Sequence, residues 1–164
     1  MKTEKINKTN AARILDKAKI KYELIPYLVD EVDLSATHVA SQLGEPIERV
    51  FKTLVLSGDK TGPFVCIIPG EEAVDLKSAA KISGNKNCDL IPMKELLGLT
   101  GYIRGGCSPI GMKKKFPTYI NDSALNLDYI YVSAGIRGLQ IKAAPNDLIK
   151  ECQMTVCHLI ADNQ

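Results

Sequence analysis

The first residue suited to chemistry is Lys52, which lies inside an apolar stretch. Residues 50–56 alternate in a way that predicts a β-strand, and in that strand Lys52 shares a face with Leu54 and Leu56. A lysine in an apolar row is partly desolvated, which lowers its pKa and strengthens its interaction with an anionic or carbonyl group. The structural alternative is a lysine at the strand start whose side chain extends into water. The pattern alone leaves both interpretations open.

A glycine-rich segment is the second candidate. Residues 100–111 contain four glycines and one proline, which is typical of a loop with special backbone angles. Such a loop can direct backbone N–H groups at an oxyanion or a phosphate. It is not a Walker loop, because no Gly-Lys-Ser/Thr closes it. A set of tight turns without a ligand is an equally good interpretation, and the shorter segment 133–138 predicts a hairpin turn first.

The other reactive side chains do not indicate a metal site or a protein nucleophile. His38 and His158 are the two histidines, and neither is near Cys107, the one cysteine in the glycine-rich segment. Cys107 is therefore more simply interpreted as a small apolar filler. No metal or cofactor is expected. The cysteines are odd in number and irregularly spaced, which indicates neither a disulfide framework nor a zinc site: Cys66, Cys88, Cys107, Cys152 and Cys157.

The composition is that of an ordinary globular protein. Of 164 residues, 45% are hydrophobic and 24% are charged, so we expect a single domain over residues 1–164. The apolar runs are too short to cross a membrane and the N-terminus is polar and lysine-rich, so we expect a cytoplasmic location without a membrane partner. The net charge is only +2, but the lysines at 113–115 and at 77, 81 and 86 could contact phosphates or form a solvated face.

Hydrophobic periodicity, capping residues and turn residues predict a mixture of helices and strands. They alternate without a regular βαβ rhythm, which favours a compact mixed sheet over a doubly wound fold. Residues 57–63 are predicted as a hairpin loop, and residues 99–117 are left unassigned. The predicted helices are 10–19, 35–43, 76–83, 92–97 and 146–152, and the predicted strands are 21–28, 50–56, 64–68, 129–133 and 139–142.

Taken together, these segments resemble the bacterial YbaK/EbsC family of cysteinyl-tRNA(Pro) deacylases, which is related to the editing insertion domain of prolyl-tRNA synthetase. The similarity extends from about residue 10 to about residue 148, and the order and spacing of its motifs are more specific than any single motif. The matching segments are 50–55, 100–102, 105–114, 117–118, 130–135 and 137–139.

The resemblance implies a mixed α/β (α+β) fold with a central, partly barrel-like sheet flanked by helices. It implies hydrolysis of the ester that joins an amino acid to the terminal adenosine of tRNA, with Lys52 as the catalytic residue. The loop from Gly105 to Pro109 would hold that adenosine and the carbonyl, Tyr27 would lie beside the amino-acid pocket, and Ser133 and Gly135 would form its far wall. The substrate-binding residues implied in this way are Tyr27, Thr53, Gly105, Gly106, Ser108, Pro109, Ser133, Gly135 and Gln140.

The resemblance also suggests a mechanism that needs no protein nucleophile. The thiol of the attached cysteine would attack the ester carbonyl, while N–H groups of residues 105–108 face the oxyanion. Lys52 could bind a phosphate, bind the ribose or polarise the carbonyl. Family members can carry an acid where this chain has Gln140, which can accept a hydrogen bond but supplies no charge.

Two other functions stay open at this point. Alanyl-tRNA(Pro) deacylation is an alternative within the same class, because a small pocket discriminates between small side chains by modest energies. A non-catalytic module that binds aminoacyl-tRNA or a nucleotide is an alternative of a different class. The expected partners are the acceptor end of tRNA(Pro) with its amino acid and prolyl-tRNA synthetase in a transient complex.

Overall fold

The structure is a computed structural model, and it describes residues 7–161. Five α-helices and eight β-strands are found in this part of the chain. The helices are α1 (Asn10–Lys17), α2 (Ala36–Leu43), α3 (Leu76–Ser83), α4 (Leu96–Thr100) and α5 (Pro145–Glu151). The strands are β1 (Tyr22–Pro26), β2 (Phe51–Gly58), β3 (Gly62–Pro69), β4 (Cys88–Leu90), β5 (Thr118–Asn121), β6 (Ile130–Ser133), β7 (Leu139–Ala143) and β8 (Thr155–Cys157).

The strands form two sheets. The larger has the order β4-β2-β3-β5-β8, with antiparallel pairing around β2 and parallel pairing from β3 through β5 to β8. The smaller is antiparallel and has the order β1-β7-β6. An isolated parallel bridge between Val50 and Tyr131 joins the sheets. The predicted mixed α/β fold is confirmed, as an open arrangement of two connected sheets.

Local capping explains why the first three helices begin where they do. Side-chain oxygens of Thr9, Ser35 and Asp75 accept hydrogen bonds from N–H groups of the first turns of α1, α2 and α3. Left-handed glycines, Gly44 and Gly84, end α2 and α3. The caps of α1 and α3 and both glycines were signals in the sequence prediction, whereas Ser35 was predicted as the first residue of its helix and is found to be its cap.

Two features of the larger sheet differ from the prediction. The predicted loop at 57–63 is too long, because β2 continues to Gly58 and β3 begins at Gly62. The side-chain oxygen of Asn85 accepts hydrogen bonds from the N–H groups of Lys60 and Thr61, and it thereby fixes a tighter turn. Three short strands, β4, β5 and β8, were not predicted, since three or four residues are too few for a clear alternation.

The main apolar core lies between the two sheets and includes Phe51, Val55, Ile120 and Ile141. A second cluster covers the other face of the larger sheet, where Leu56, Phe64 and Ile68 pack with Ala79 of α3. Strand β2 therefore contributes to both clusters, with odd-numbered residues facing one and even-numbered residues facing the other. Among residues 7–161, the structure has no helix long and apolar enough to span a membrane.

Candidate active site

A cavity of about 550 Å³ lies beside β2. Its wall combines residues from both sheets, from the start of α2 and from the glycine-rich segment. Five residues of the predicted site line this cavity, and they come from three separate parts of the sequence: Lys52, Thr53, Gly105, Ser133 and Gln140. Ser133 and Gln140 are paired in the smaller sheet. A volume of this size is typical of small-molecule sites.

The cavity lies along an open edge of β2. Strand β4 pairs only with residues 56–58, and beyond it the N–H of Ile91 donates to the carbonyl of Val55 over 3.1 Å. Alternate residues of a strand direct their backbone groups to the same edge, so the N–H and carbonyl of Thr53 face the side on which Ile91 lies. No strand pairs with Thr53 on that side within residues 7–161. The edge thus offers a hydrogen-bonding template to a ligand.

Lys52 supplies positive charge to this cavity. Its side chain is half-buried, and burial lowers the pKa of its ammonium while Glu72 acts in the opposite direction. No carboxylate lies within 4.0 Å of Lys52 Nζ among the described residues, and none lines the cavity. The ammonium is therefore partly desolvated and unpaired, which strengthens its attraction for a negative charge that develops on a ligand.

Two buried acceptors in the same cavity lack a partner. Thr53 Oγ1 and Gln140 Oε1 are both inaccessible to solvent and make no hydrogen bond in the described structure. Gln140 is 4% exposed, so its amide is held inside the protein. A buried polar atom without a partner costs about 1–3 kcal/mol, and such atoms in a native protein usually have a ligand, a water or a catalytic role. Both residues line the cavity, although neither oxygen is accessible from it in this structure.

Two adjacent glycines allow the glycine-rich segment to pack against the turn between β6 and β7. A Cβ on Gly105 would lie 3.2 Å from Arg137 Nε, and one on Gly106 would lie 3.1 Å from backbone atoms of Ile136 and Arg137. Gly105 also has a φ of +82°, which favours glycine. The N–H of Gly106 donates to the Ile103 carbonyl over 2.9 Å, so it is not free to bind an oxyanion.

The remaining residues predicted from the resemblance lie outside the lining of the main cavity. Ser108 is fully buried, and its Oγ accepts a hydrogen bond from the N–H of Ile110. Pro109 lines a second, smaller cavity of about 220 Å³. Gly135 lies against the ring of Tyr102, and Tyr27 packs on the cluster formed by Val39, Ala40, Val50 and Tyr131.

Cys107 also lines the cavity, but its thiol is a poor nucleophile. Burial raises its pKa to about 11, so the reactive thiolate is scarce at neutral pH. The interpretation of Cys107 as an apolar filler agrees with this environment.

Sequence reasoning missed several residues of the wall. Leu34, Ser35 and Ala36 bring the start of α2 to the cavity, and Arg104 lines it beside Gly105. None of them belongs to a recognisable motif. The one sequence signal for Arg104 was its position directly before the two glycines at 105 and 106.

The comparisons with known proteins identify the family. Residues 32–151 match the model of the aminoacyl-tRNA editing domain. The chain therefore belongs to the aminoacyl-tRNA editing family. It is 51% identical over 142 residues to an Enterococcus faecalis (strain ATCC 700802 / V583) protein named "Putative Cys-tRNA(Pro)/Cys-tRNA(Cys) deacylase EbsC", and the match covers 87% of each chain.

Solved structures show the same fold at low sequence identity. One is described as a "putative trans-editing enzyme for prolyl tRNA synthetase", with a TM-score of 0.80, 21% identity, and coverage of 95% of this chain and 100% of that one. Another, of a hypothetical protein, has a TM-score of 0.83, 19% identity, and coverage of 91% and 97%. At these identities the structures support the fold, while the family rests on the sequence matches.

Proposed function

We propose that this protein is an aminoacyl-tRNA deacylase that removes cysteine wrongly attached to tRNA(Pro). The single observation that carries the proposal is the half-buried Lys52, which has no ion pair among the described residues and lines a cavity to which those residues contribute no carboxylate. The name of the Enterococcus relative, at 51% identity, supports cysteinyl-tRNA as the substrate. A charged side chain, two polar residues in the wall and an unpaired strand edge around one cavity can hold an ester and stabilise its transition state.

The chemistry fits a reaction in which the substrate supplies the nucleophile. The cysteine sulfur attacks the ester carbonyl carbon, a carbon–sulfur bond forms, and the bond to the ribose oxygen breaks. The thiol proton passes to that ribose oxygen, and the products are a cysteine thiolactone and free tRNA. A bound thiol has a high effective concentration at the carbonyl, so the protein need not provide a nucleophile. The raised pKa of Cys107 is consistent with this division of roles.

Three polar residues of the cavity wall then have roles in this reaction: Lys52, Thr53 and Gln140. Lys52 stabilises the oxyanion that forms on the carbonyl oxygen, and the N–H of Gly106 does not contribute because it already donates to the Ile103 carbonyl. The Gln140 side chain reorients on binding so that its Oε1, inaccessible in the free protein, accepts a hydrogen bond from the α-amino group of the attached cysteine. Thr53 Oγ1 contributes a second polar contact beside it in the same way. Because the Gln140 amide is neutral, this contact does not depend on a negative charge on the protein.

Two further elements complete the proposal. The substrate is tRNA that prolyl-tRNA synthetase has misacylated, so we propose action in the cytoplasm and a transient complex with that synthetase.

Deacylation of alanyl-tRNA(Pro) is the second candidate. It is favoured by one observation: among the described residues, the cavity wall holds no charged side chain except Lys52 and Arg104. A largely apolar wall distinguishes the side chains of cysteine and alanine only by modest energies.

Hydrolysis of defined aminoacyl-tRNAs tests the proposal. We would compare wild type, Lys52→Ala and the control Lys60→Ala, since Lys60 is exposed in the turn of the same hairpin. The substrates are tRNA(Pro) carrying cysteine, serine, alanine or proline, and Cys-tRNA(Cys), each with and without prolyl-tRNA synthetase. Loss of one electrostatic contact to a developing charge typically costs about 10²–10³ in rate. We therefore expect Lys52→Ala to lose about 100-fold with Cys-tRNA(Pro), and Lys60→Ala to retain wild-type activity.

Other outcomes would change the proposal in defined ways. Equal cleavage of the serine and cysteine esters would exclude the thiol mechanism, and preferential release of alanine would replace the specificity. Protection of all esters from spontaneous hydrolysis, with or without the synthetase, would contradict the enzyme and favour a binding module.

A further inference from the structure

Two arginines lie next to Gly105, which lines the cavity. Arg104 lines the cavity next to Gly105, and the Arg137 side chain crosses that glycine so that its Nε donates to the Arg104 carbonyl over 2.8 Å. A side chain at position 105 would lie 3.2 Å from Arg137 Nε and 3.4 Å from its Cγ, so the glycine is what lets Arg137 approach. This bond uses Nε and fixes the orientation of the guanidinium, while its two terminal nitrogens make no hydrogen bond among the described residues.

Neither arginine has a counter-ion within the described part of the chain. The ion pairs there involve Lys8, Arg49 and His158, and Arg104 donates no hydrogen bond to a side chain or backbone group. Residues 7–161 contribute no carboxylate to the nearby cavity wall, and they contribute a further cation, Lys52. A guanidinium that is held in one orientation and has two terminal nitrogens without a partner matches the geometry of a phosphate.

We propose that Arg104 and Arg137 bind the phosphate that joins the terminal adenosine of the acceptor end to the preceding nucleotide. This inference rests on the proposed function and adds a second contact region to it. The Lys52 end of the cavity receives the ester, and the two arginines receive the phosphodiester that follows the adenosine. Arg137 supplies the oriented fork, and Arg104 supplies a second positive charge on the same loop.

Binding of small nucleotides tests the phosphate contact without any need for hydrolysis. The probes are the dinucleotide CpA, which contains this phosphate, and adenosine, which lacks it. We would titrate wild type, Arg104→Gln, Arg137→Gln, Arg137→Lys and Arg13→Gln by NMR chemical shifts. Arg13 is the matched control because it is exposed on α1, which contributes no residue to the main cavity, and its replacement removes the same charge.

The expected result is a loss confined to the ligand with the phosphate. Arg104→Gln and Arg137→Gln should weaken CpA binding about tenfold, as removal of a charge-assisted hydrogen bond does, and leave adenosine binding unchanged. Arg137→Lys should rescue only part of the loss, because an ammonium keeps the charge but not the fork. Binding of CpA should also depend less on salt concentration in both variants than in wild type, because a cation beside the phosphate has been removed.

Two outcomes would overturn the inference. Equal losses for CpA and adenosine would show that the arginines act through the shape of the glycine-rich loop. Unchanged CpA binding in both variants would place the phosphate elsewhere. The assay measures binding and therefore does not depend on hydrolysis. If the chain hydrolyses no aminoacyl-tRNA, the proposed function fails, and the CpA and adenosine titrations still decide whether the two arginines bind a phosphate.

Discussion

The two ends of strand β2 differ in how completely their polar groups are satisfied. In what we call the open segment, residues 51–55, the edge faces the cavity, Thr53 Oγ1 is buried without a partner, and Lys52 is half-buried without an ion pair among the described residues. In what we call the closed end, residues 56–62 with Asn85, strand β4 covers the edge. There the Asn85 side chain bonds the N–H groups of Lys60 and Thr61 and the hydroxyls of Thr61 and Ser83.

We propose that this difference separates the residues of the hairpin that stabilise the fold from those that serve its function. Every hydrogen bond at the closed end stabilises the turn, whereas the open segment retains unsatisfied groups at a cost in folding free energy. A protein keeps such groups where a ligand satisfies them. Substitutions at the closed end should therefore lower stability and spare activity, and substitutions in the open segment should do the opposite.

The largest expected effect is at Gly58, in the closed end. A Cβ at this position would overlap the Asn85 side chain, which is only 7% exposed and makes four hydrogen bonds. Gly58→Ala should therefore displace Asn85 and lower the free energy of unfolding by about 3 kcal/mol, the sum of overpacking and lost hydrogen bonds. Denaturant unfolding followed by circular dichroism measures this change.

Gly98→Ala is the control for that substitution. Gly98 lies in α4, and a Cβ there would have no heavy atom within 4 Å. This variant should be neutral or more stable, because alanine favours helix more than glycine does by about 1 kcal/mol. Equal stability of the two variants would show that the Asn85 network does not hold the turn.

The next effect compares the same chemical change at both ends of the hairpin. Thr53→Val removes the unpartnered hydroxyl of the open segment and should raise the free energy of unfolding by about 1 kcal/mol. Thr61→Val removes a hydroxyl that accepts from Asn85 Nδ2 and donates to the Gly62 carbonyl, and it should lower that free energy by about 1 kcal/mol.

Activity should change in the opposite sense. Thr53→Val should lower kcat/KM for Cys-tRNA(Pro) about tenfold, since one hydrogen bond to the substrate is lost, and Thr61→Val should leave it unchanged. Urea unfolding and steady-state kinetics on the same preparations give both numbers. If Thr53→Val were less stable and fully active, the open segment would have no special link to function.

The sequence predicted the elements better than it predicted the site. Helices capped by Thr9, Ser35 and Asp75 and the long strands β2 and β3 were predicted because their signals are local. The apolar row of Lys52, Leu54 and Leu56 was also predicted from alternation, and its half-buried lysine follows from it. Strand β4 was missed because its three residues acquire their pairing from β2.

The site needed information that the local sequence lacks. The pairing that places Gln140 beside Ser133, and both near Thr53, depends on how the two sheets pack. The unpartnered state of the Thr53 and Gln140 oxygens is visible only after the core has excluded water from them. The orientation of Arg137 depends on a bond to Arg104, which lies 33 positions away in the chain.

The smallest expected effect concerns acid stability at the closed end. The Asp59 carboxylate accepts hydrogen bonds from the N–H groups of Lys86 and Asn87, and bonding to Asn87 above all lowers the pKa of Asp59 below its ordinary value of 3.8. A lowered pKa in the folded state means that Asp59 stabilises the fold at pH values above 3.8, and that this contribution is lost as the pH falls through the folded pKa. In Asp59→Asn, the free energy of unfolding should therefore fall less steeply between about pH 5 and pH 2 than in wild type. The control is Glu71→Gln, which removes an exposed carboxylate that makes no hydrogen bond in the described structure. This variant should keep the wild-type slope. Thermal unfolding at a series of pH values measures the slopes, and matching curves for Asp59→Asn and wild type would show that this turn does not contribute to acid stability.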